Sequence, residues 1–311
     1  MKKRKLEVHV AIIAYNAEKN IEQLTRSLLD QQSNIFNVSK VIVYSDSSTD
    51  HTMSIIKKIR NKKIHILENI KRKGFAYNVV ELFKHNTADY LILLNDDINI
   101  KHRTFVSHIL KPFLAHNNVG LTSANIVPFK PLNFIEKAVN SGFQAFRKMN
   151  TRREKGDNLF TCDGKSLALS KEFISELKKL DRKKMGNVDT YLYFKCIQKK
   201  FKYKFANTAH VYFKFPSTIG DFLKWQGRNY SFKYLLIKEF GSMVEEHYRI
   251  PRLTFHYYRL VEILKNPIGS AFIYLLGVYC SLKTRFSKSD FNPLWDVVTS
   301  TKNFKKPAIQ S

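Results

Sequence analysis

The chain has 311 residues, 44% hydrophobic and 13% aromatic, enough to bury a sizeable core, which excludes a disordered tail, a collagen-like or low-complexity polymer and a small disulfide scaffold. Lys and Arg total 53 against 26 Asp plus Glu, and the formal net charge of +27 calls for a polyanionic partner or surface; nucleic acid, anionic lipid and phosphorylated substrate all stay open. Cys162, Cys196 and Cys280 are widely spaced, make no paired zinc or disulfide motif, and fit a reducing compartment.

The basic start, Met1 to Lys5, and the apolar Val8 to Ala14 resemble the first parts of a signal peptide. His9 interrupts the run and no small-residue cleavage site follows, so the segment reads as a first strand, Leu6 to Tyr15. Asn16 then stands as a helix cap before Ile21, Leu24, Leu28 and Leu29, which recur at helical spacing. The alternation continues with a strand at Lys40 to Tyr44, a helix near Met53 to Ile59, a strand at Lys63 to Leu67, a helix near Phe75 to Lys84 and a strand at Tyr90 to Leu94. Strands separated by helices predict a parallel α/β sheet, whose right-handed crossovers put every strand's C-terminal end on one edge. Ligands bind at that edge in open α/β sheets.

The residues that follow the strands should therefore meet in one cleft: Tyr15-Asn16, then Ser45-Asp46-Ser47-Ser48-Thr49-Asp50, then Lys71-Arg72-Lys73-Gly74, and Asn95-Asp96-Asp97. Asp96 and Asp97 follow a fully apolar strand, where two adjacent carboxylates repel one another unless a cation neutralises them. Oxygen ligands favour magnesium or manganese; an Asp-Asp helix cap is the competing explanation. Asp46 suits a base N–H or a turn, Asp50 caps the next helix, and the basic Lys71 to Gly74 run at a helix start suits a diphosphate or a solvated turn. Neither a G-x-G-x-x-G nor a P-loop occurs.

Further along come strand-like runs at Thr122 to Val127, Ser166 to Leu169, Lys204 to Phe205 and His210 to Phe213, with helices near Lys171 to Leu180 and Thr190 to Lys199. Beyond Pro216 the chain turns helical, basic and aromatic, first at Asp221 to Phe240. Residues 1–215 are read as one domain and 216–311 as a helical C-terminal region. The uncharged run from Asn266 to Leu282 is shorter than the roughly 20 residues that a spanning helix needs. Tyr257, Tyr258, Tyr274 and Tyr279 with Arg259, Lys265, Lys283 and Arg285 give it the flanks of a segment lying on an anionic leaflet; a buried helix is the alternative.

Four segments, Val10 to Asn16, Val41 to Thr52, Lys73 to Asn78 and Leu93 to Asp97, together resemble the family 2 glycosyltransferases of GT-A fold in order and spacing, over roughly Leu6 to Tyr230. The resemblance implies a GT-A-type α/β/α sandwich that binds a nucleotide-sugar. Ala14, Tyr15, Asn16, Asp46, Lys73, Gly74, Asn78, Asn95 and Asp96 match the nucleotide-sugar segments, with Asp46 at the base and Asp96 near the ribose. Asp97 matches the metal ligand, for Mn2+ or Mg2+. Asn95 stands where the family has a first acid, Ala14 where proline is common, and Ser45 and Ser47 replace an Asp and a Gly. Cys162-Asp163-Gly164 resembles the acceptor-side segment, Asp189 matches the catalytic base with Val188 in place of a glutamate, and Arg228 matches a diphosphate or acceptor contact. Asp189 before Thr190 is also an ordinary helix cap.

What this implies is an inverting, metal-dependent glycosyltransferase at the inner face of the cell membrane. It would move a sugar from a nucleoside-diphosphate sugar, a UDP-sugar in first place, to a lipid-linked or cell-surface glycan. The rival readings are a basic nucleic-acid-binding protein, which leaves two carboxylates at a strand end unexplained, and a GT-A-like scaffold that has lost transfer.

Overall fold

The computed structural model describes residues 4–182, 185–230, 233–286, 294 and 297–304, the side chains of 227–230 and 283–286 excepted. The first half alternates β1 (Leu6–Ala14), α1 (Ile21–Leu29), β2 (Phe36–Ser45), α2 (Thr52–Lys58), β3 (Ile64–Glu68), α3 (Phe75–His85) and β4 (Tyr90–Asn95). Then come β5 (Ile98–Asn99), α4 (Phe105–Ala115), β6 (Val119–Pro128), α5 (Phe134–Arg152), β7 (Ser166–Ser170), α6 (Lys171–Leu177), α7 (Val188–Gln198) and β8 (Lys202–Phe213). The C-terminal region is helical: α8 (Ile219–Tyr230), α9 (Lys233–Phe240), α10 (Ser242–His247), α11 (Arg252–Lys265) and α12 (Pro267–Phe286).

One eight-stranded sheet, in the order β3-β2-β1-β4-β7-β6-β8-β5, runs through the molecule. β3, β2, β1 and β4 are mutually parallel, as the alternation predicts, while β7 is antiparallel to both β4 and β6. Apolar runs without polar alternation form these strands because helices cover both faces. Along β1, Ala11 and Ile13 enter one core with α3, α6 and α7, whereas Val10, Ile12 and Ala14 enter the other with α1, α2 and α4. A smaller apolar cluster of Val139, Phe213, Phe215, Phe222 and Cys280 joins α5, α8 and α12.

Several expectations change. Asn16 does not cap α1: a turn closed by Asn20 N–H on Ala17 O intervenes, Asn20 takes the capping position, and Asn16 adopts a left-handed φ of 51°. Asp50 is not the capping residue of α2, which His51 precedes; it accepts from Thr52 N at 3.0 Å and from Glu18 N at 3.1 Å, tying two loops together. The runs at Lys204 and His210 are one strand, bulged where its pairing with β6 jumps from Ala206 to His210. The segment Asp221 to Phe240 comprises two helices, and α4, α5 and β5 had no sequence expectation. Among the described residues no helix is long and apolar enough to cross a membrane.

Candidate functional site

The parallel strands deliver their C-terminal residues to a cleft of about 960 Å³. Ala14, Tyr15, Asp46, Gly74, Asn95, Asp96 and Asp97 line it, so residues from three strand ends and the start of α3 meet as the topology requires. Asn16, Lys73, Asn78, Asp163, Gly164 and Asp189 are not among its lining residues. Asn16 Oδ1 accepts from Thr49 N at 2.8 Å, and Asn78 Oδ1 accepts from Asn69 Nδ2 at 2.7 Å, so both brace the loops behind the cleft.

Asp46 is buried at the end of β2 and spends its carboxylate on the turn opposite. Oδ1 accepts from Asn69 Nδ2 and Lys73 N, each at 2.9 Å, and Oδ2 from Gly74 N at 2.9 Å. Gly74 has a φ of 90°, which a side chain strongly disfavours, and this conformation turns the chain into α3. The same turn places the Arg72 guanidinium 4.0 Å from the centre of the Tyr15 ring, a flat cationic and aromatic wall.

At the end of β4 the three polar residues divide their tasks. Asp96 Oδ2 accepts from Tyr15 N at 2.8 Å and from Lys302 Nζ at 2.8 Å; Lys302 Nζ also donates to Tyr15 O. Burial pushes the Asp96 carboxyl upward, Lys302 opposes this, and Asp97 reinforces it. Asn95 Oδ1 and Asp97 Oδ1, two residues apart, are buried and have no hydrogen-bond partner among the described residues. Unpartnered buried oxygens are costly, and two hard oxygens on one turn suit Mg2+ or Mn2+. No group of three or more His, Cys, Asp or Glu side chains able to hold a metal ion occurs among the described residues. A cation held here would take its remaining ligands from water and substrate phosphates, as Mg2+ usually does.

Asp189 sits in the first turn of α7, after a capping position occupied by Asn187. Its Oδ2 accepts from Gly164 N at 2.8 Å and its Oδ1 from Thr190 N at 2.6 Å. Burial first, and the Asp163 carboxylate second, push its carboxyl up to about 6, against the opposing hydrogen bonds from Thr190 and Gly164. Because β7 is antiparallel to β4, its first residue lies beside the last residues of β4, and Asn95 N donates to Lys165 O at 3.2 Å. Hydrogen bonds and chain continuity thus lead from Asp189 through Gly164 and Lys165 to Asn95, although Asp189 itself does not line the cleft.

Asp163 Oδ1 accepts from Lys165 N at 2.9 Å, and Asp163 lines a smaller cavity with Asn125, Arg147 and Asn150. The side chain of Arg228 lies outside the described residues. Lys165, Lys214, Trp225 and Lys302 line the main cleft although no sequence signal marked them as site residues. Lys302 in particular is one lysine in a lysine-rich chain.

Residues 9–178 match the family described as "Glycosyl transferase family 2". No curated protein matches the sequence. Among solved structures, the mannosyltransferase PcManGT from Pyrobaculum calidifontis in complex with GDP-Man and Mn2+ has a TM-score of 0.57 at 15% identity, covering 92% of this chain and 77% of that one. S. aureus TarS 1-349 in complex with UDP has a TM-score of 0.49 at 14% identity, covering 75% and 66%. Glucosyl-3-phosphoglycerate synthase from Mycobacterium tuberculosis in complex with Mn2+, UDP and glucosyl-3-phosphoglycerate has a TM-score of 0.48 at 14% identity, covering 76% and 80%.

Proposed function

Since the chain belongs to glycosyl transferase family 2 and has a GT-A-like α/β fold, it is a glycosyltransferase, and we propose that it transfers sugar with inversion from a nucleoside-diphosphate sugar to an acceptor hydroxyl. A UDP-sugar is the first candidate donor, and a glycan or lipid-linked molecule the acceptor. The observation that carries this reading is the pair of oxygens on Asn95 and Asp97 in the cleft that are buried and unpartnered among the described residues; the Gly164–Lys165 turn connects Asn95 to Asp189, whose carboxyl is pushed up to about 6.

In this reading the Tyr15 and Arg72 wall receives the base, with Asp46 fixing the turn that builds it, and Asp96 lies toward the ribose. Asn95 and Asp97 would hold Mn2+ or Mg2+, which neutralises charge on the departing nucleoside diphosphate when bound. Asp189 takes the proton from the acceptor hydroxyl as that oxygen attacks the anomeric carbon. The bond from that carbon to the diphosphate oxygen breaks in the same displacement, which inverts the centre. A carboxylate with a pKa near 6 is ionised at neutral pH yet basic enough to accept this proton. Gly164 N–H holds it in place, which supports reading Asp163 and Gly164 as acceptor-side residues.

Residues 1–215 supply the groups assigned to this chemistry, and the region from 216 on adds part of the cleft wall and an outer surface. On α11 and α12, Leu253, Tyr257, Leu260, Leu264, Tyr274 and Leu275 are all exposed, and the Arg259 guanidinium lies 4.5 Å from the Tyr274 ring centre. An apolar and aromatic face on a chain of net charge +27 suits peripheral contact with the anionic inner leaflet of the cell membrane.

The test is release or transfer of sugar from UDP-sugars and GDP-sugars, measured with Mn2+. Activity is expected to vanish in Asp97→Ala and in Asp189→Ala; normal turnover in both variants refutes the assignment.

A further inference from the structure

Lys302 stands 206 positions beyond Asp96, yet its ammonium meets that carboxylate at 2.8 Å. The segment 297–304 returns across the cleft and is fastened on both sides of Lys302. Ser300 N donates to Asp221 Oδ2 at 2.9 Å, Ser217 N donates to Ser300 Oγ at 3.1 Å, and the Phe304 ring packs 5.6 Å from that of Phe129. Val297, Val298, Thr301 and Lys302 thereby form one wall of the cleft.

A nucleoside diphosphate entering this cleft adds negative charge to a place that already holds Asp46, Asp96 and Asp97. Nearby cations differ in what they are engaged with: Arg72 stacks on Tyr15, and Lys214 pairs with Glu136 at 3.4 Å. Lys302 sits on the carboxylate of Asp96 itself, with a side chain 16% exposed. An ammonium has three N–H donors. Two are engaged by Asp96 and Tyr15 O, and no third partner is present among the described residues. A phosphate oxygen meeting the third donor would make a charge-assisted hydrogen bond on a site that Asp96 has already oriented.

Resting on the glycosyltransferase reading above, the geometry points to Lys302 as a donor-binding residue. The C-terminal segment supplies an ammonium that bridges Asp96 and the diphosphate of the nucleotide-sugar, and holds the nucleoside diphosphate as it leaves. Lys302, together with a cation that Asn95 and Asp97 would hold, would then supply positive charge to the same diphosphate. A latch that merely keeps the cleft shut requires the opposite sign: its removal would tighten nucleotide binding.

The experiment is calorimetric titration of the full chain with UDP and with GDP in the presence of Mn2+. The proteins compared are wild type, Lys302→Met, Lys302→Arg, Asp96→Asn and the double variant Asp96→Asn with Lys302→Met. The expected result is a loss of about tenfold or more in affinity for Lys302→Met, from one charge-assisted bond. Lys302→Arg should stay within about threefold of wild type, because the charge remains. The loss should persist in the Asp96→Asn background, since the ammonium acts on the phosphate directly. Unchanged or tighter binding by Lys302→Met overturns the inference, as does a loss that disappears when Asp96 is also changed. Wild type that binds neither nucleotide overturns the donor reading too, whereas wild type that binds while Lys302→Met binds equally well removes Lys302 alone. If Lys302→Met lacks a cooperative melt, Lys302→Gln is titrated with the same criteria.

Discussion

Acid should switch the enzyme off through Asp189 before it does so through unfolding. Burial disfavours the charged carboxylate, Asp163 repels it, and the balance against hydrogen bonds from Thr190 and Gly164 leaves the group titrating at about 6, well above an ordinary aspartate. A base must be deprotonated to work, so a raised pKa means that turnover is complete above that value and lost below it. With a midpoint near 6, about one molecule in ten carries the ionised form at pH 5, and the rate should fall about tenfold for each further unit. The assay is nucleoside diphosphate release, followed from pH 5 to 8 at saturating donor and Mn2+ and constant ionic strength. Donor affinity is measured separately at each pH, because Asp96 is also shifted upward by burial and would show itself in binding rather than in kcat. Asp163→Asn removes the repulsion but not the burial, so it should move the acid limb to lower pH without returning it to that of an exposed aspartate. A kcat profile flat across this range, or one whose limb is untouched by Asp163→Asn, refutes the assignment of Asp189 and of the charge that tunes it.

Asp46→Ala strips the acceptors from Asn69 Nδ2, Lys73 N and Gly74 N, and leaves two backbone donors unpaired near a buried strand end. Urea denaturation should show a loss of about 2–4 kcal/mol, with Asp46→Asn losing roughly half of that; a change below about 1 kcal/mol for the alanine variant contradicts the bracing role. On α11, the triple change Tyr257→Ser, Leu260→Ser and Leu264→Ser should abolish sedimentation with vesicles containing phosphatidylglycerol while leaving the melting temperature unchanged, because all three side chains are exposed. Equal pelleting of variant and wild type removes this face as the membrane contact.

The parallel half of the sheet was legible because the C-terminal parts of β1 and β2 and nearly all of β4 are packed between helices and so read as apolar runs, Val10 to Ala14, Val41 to Val43 and Leu91 to Leu94. Asp97 and Asp189 were legible because each follows or opens an element whose pattern is plain. α5 was not, since its buried positions include Glu136, Ser141 and Asn150, polar residues that erase a helical apolar stripe. Glu136 is tolerated there by accepting from Leu132 N, four residues back, and by pairing with Lys214, a partner that only the tertiary fold brings near. β8 read as two pieces because Asn207 and Thr208 interrupt its apolar residues at the bulge. The capping role given to Asn16 failed for a related reason: its side chain is drawn to Thr49, across a loop that local sequence cannot anticipate. Lys302 carried no signal whatever, because its meaning comes from a partner two hundred positions away.

The reversed strand β7 has a consequence for how such a protein can diversify. Its pairing with β4 sets Ser166 opposite Leu94, so the stretch just upstream of it is registered against the Asn95-Asp96-Asp97 turn by backbone geometry alone. The chain between β6 and β7 leaves and re-enters this frame as an excursion whose exposed positions can change while buried ones such as Ala138 and Met149 keep it docked. Under the proposed function, new acceptors would be accommodated by redrawing those exposed positions, while the ruler set by the β4–β7 register stays as it is.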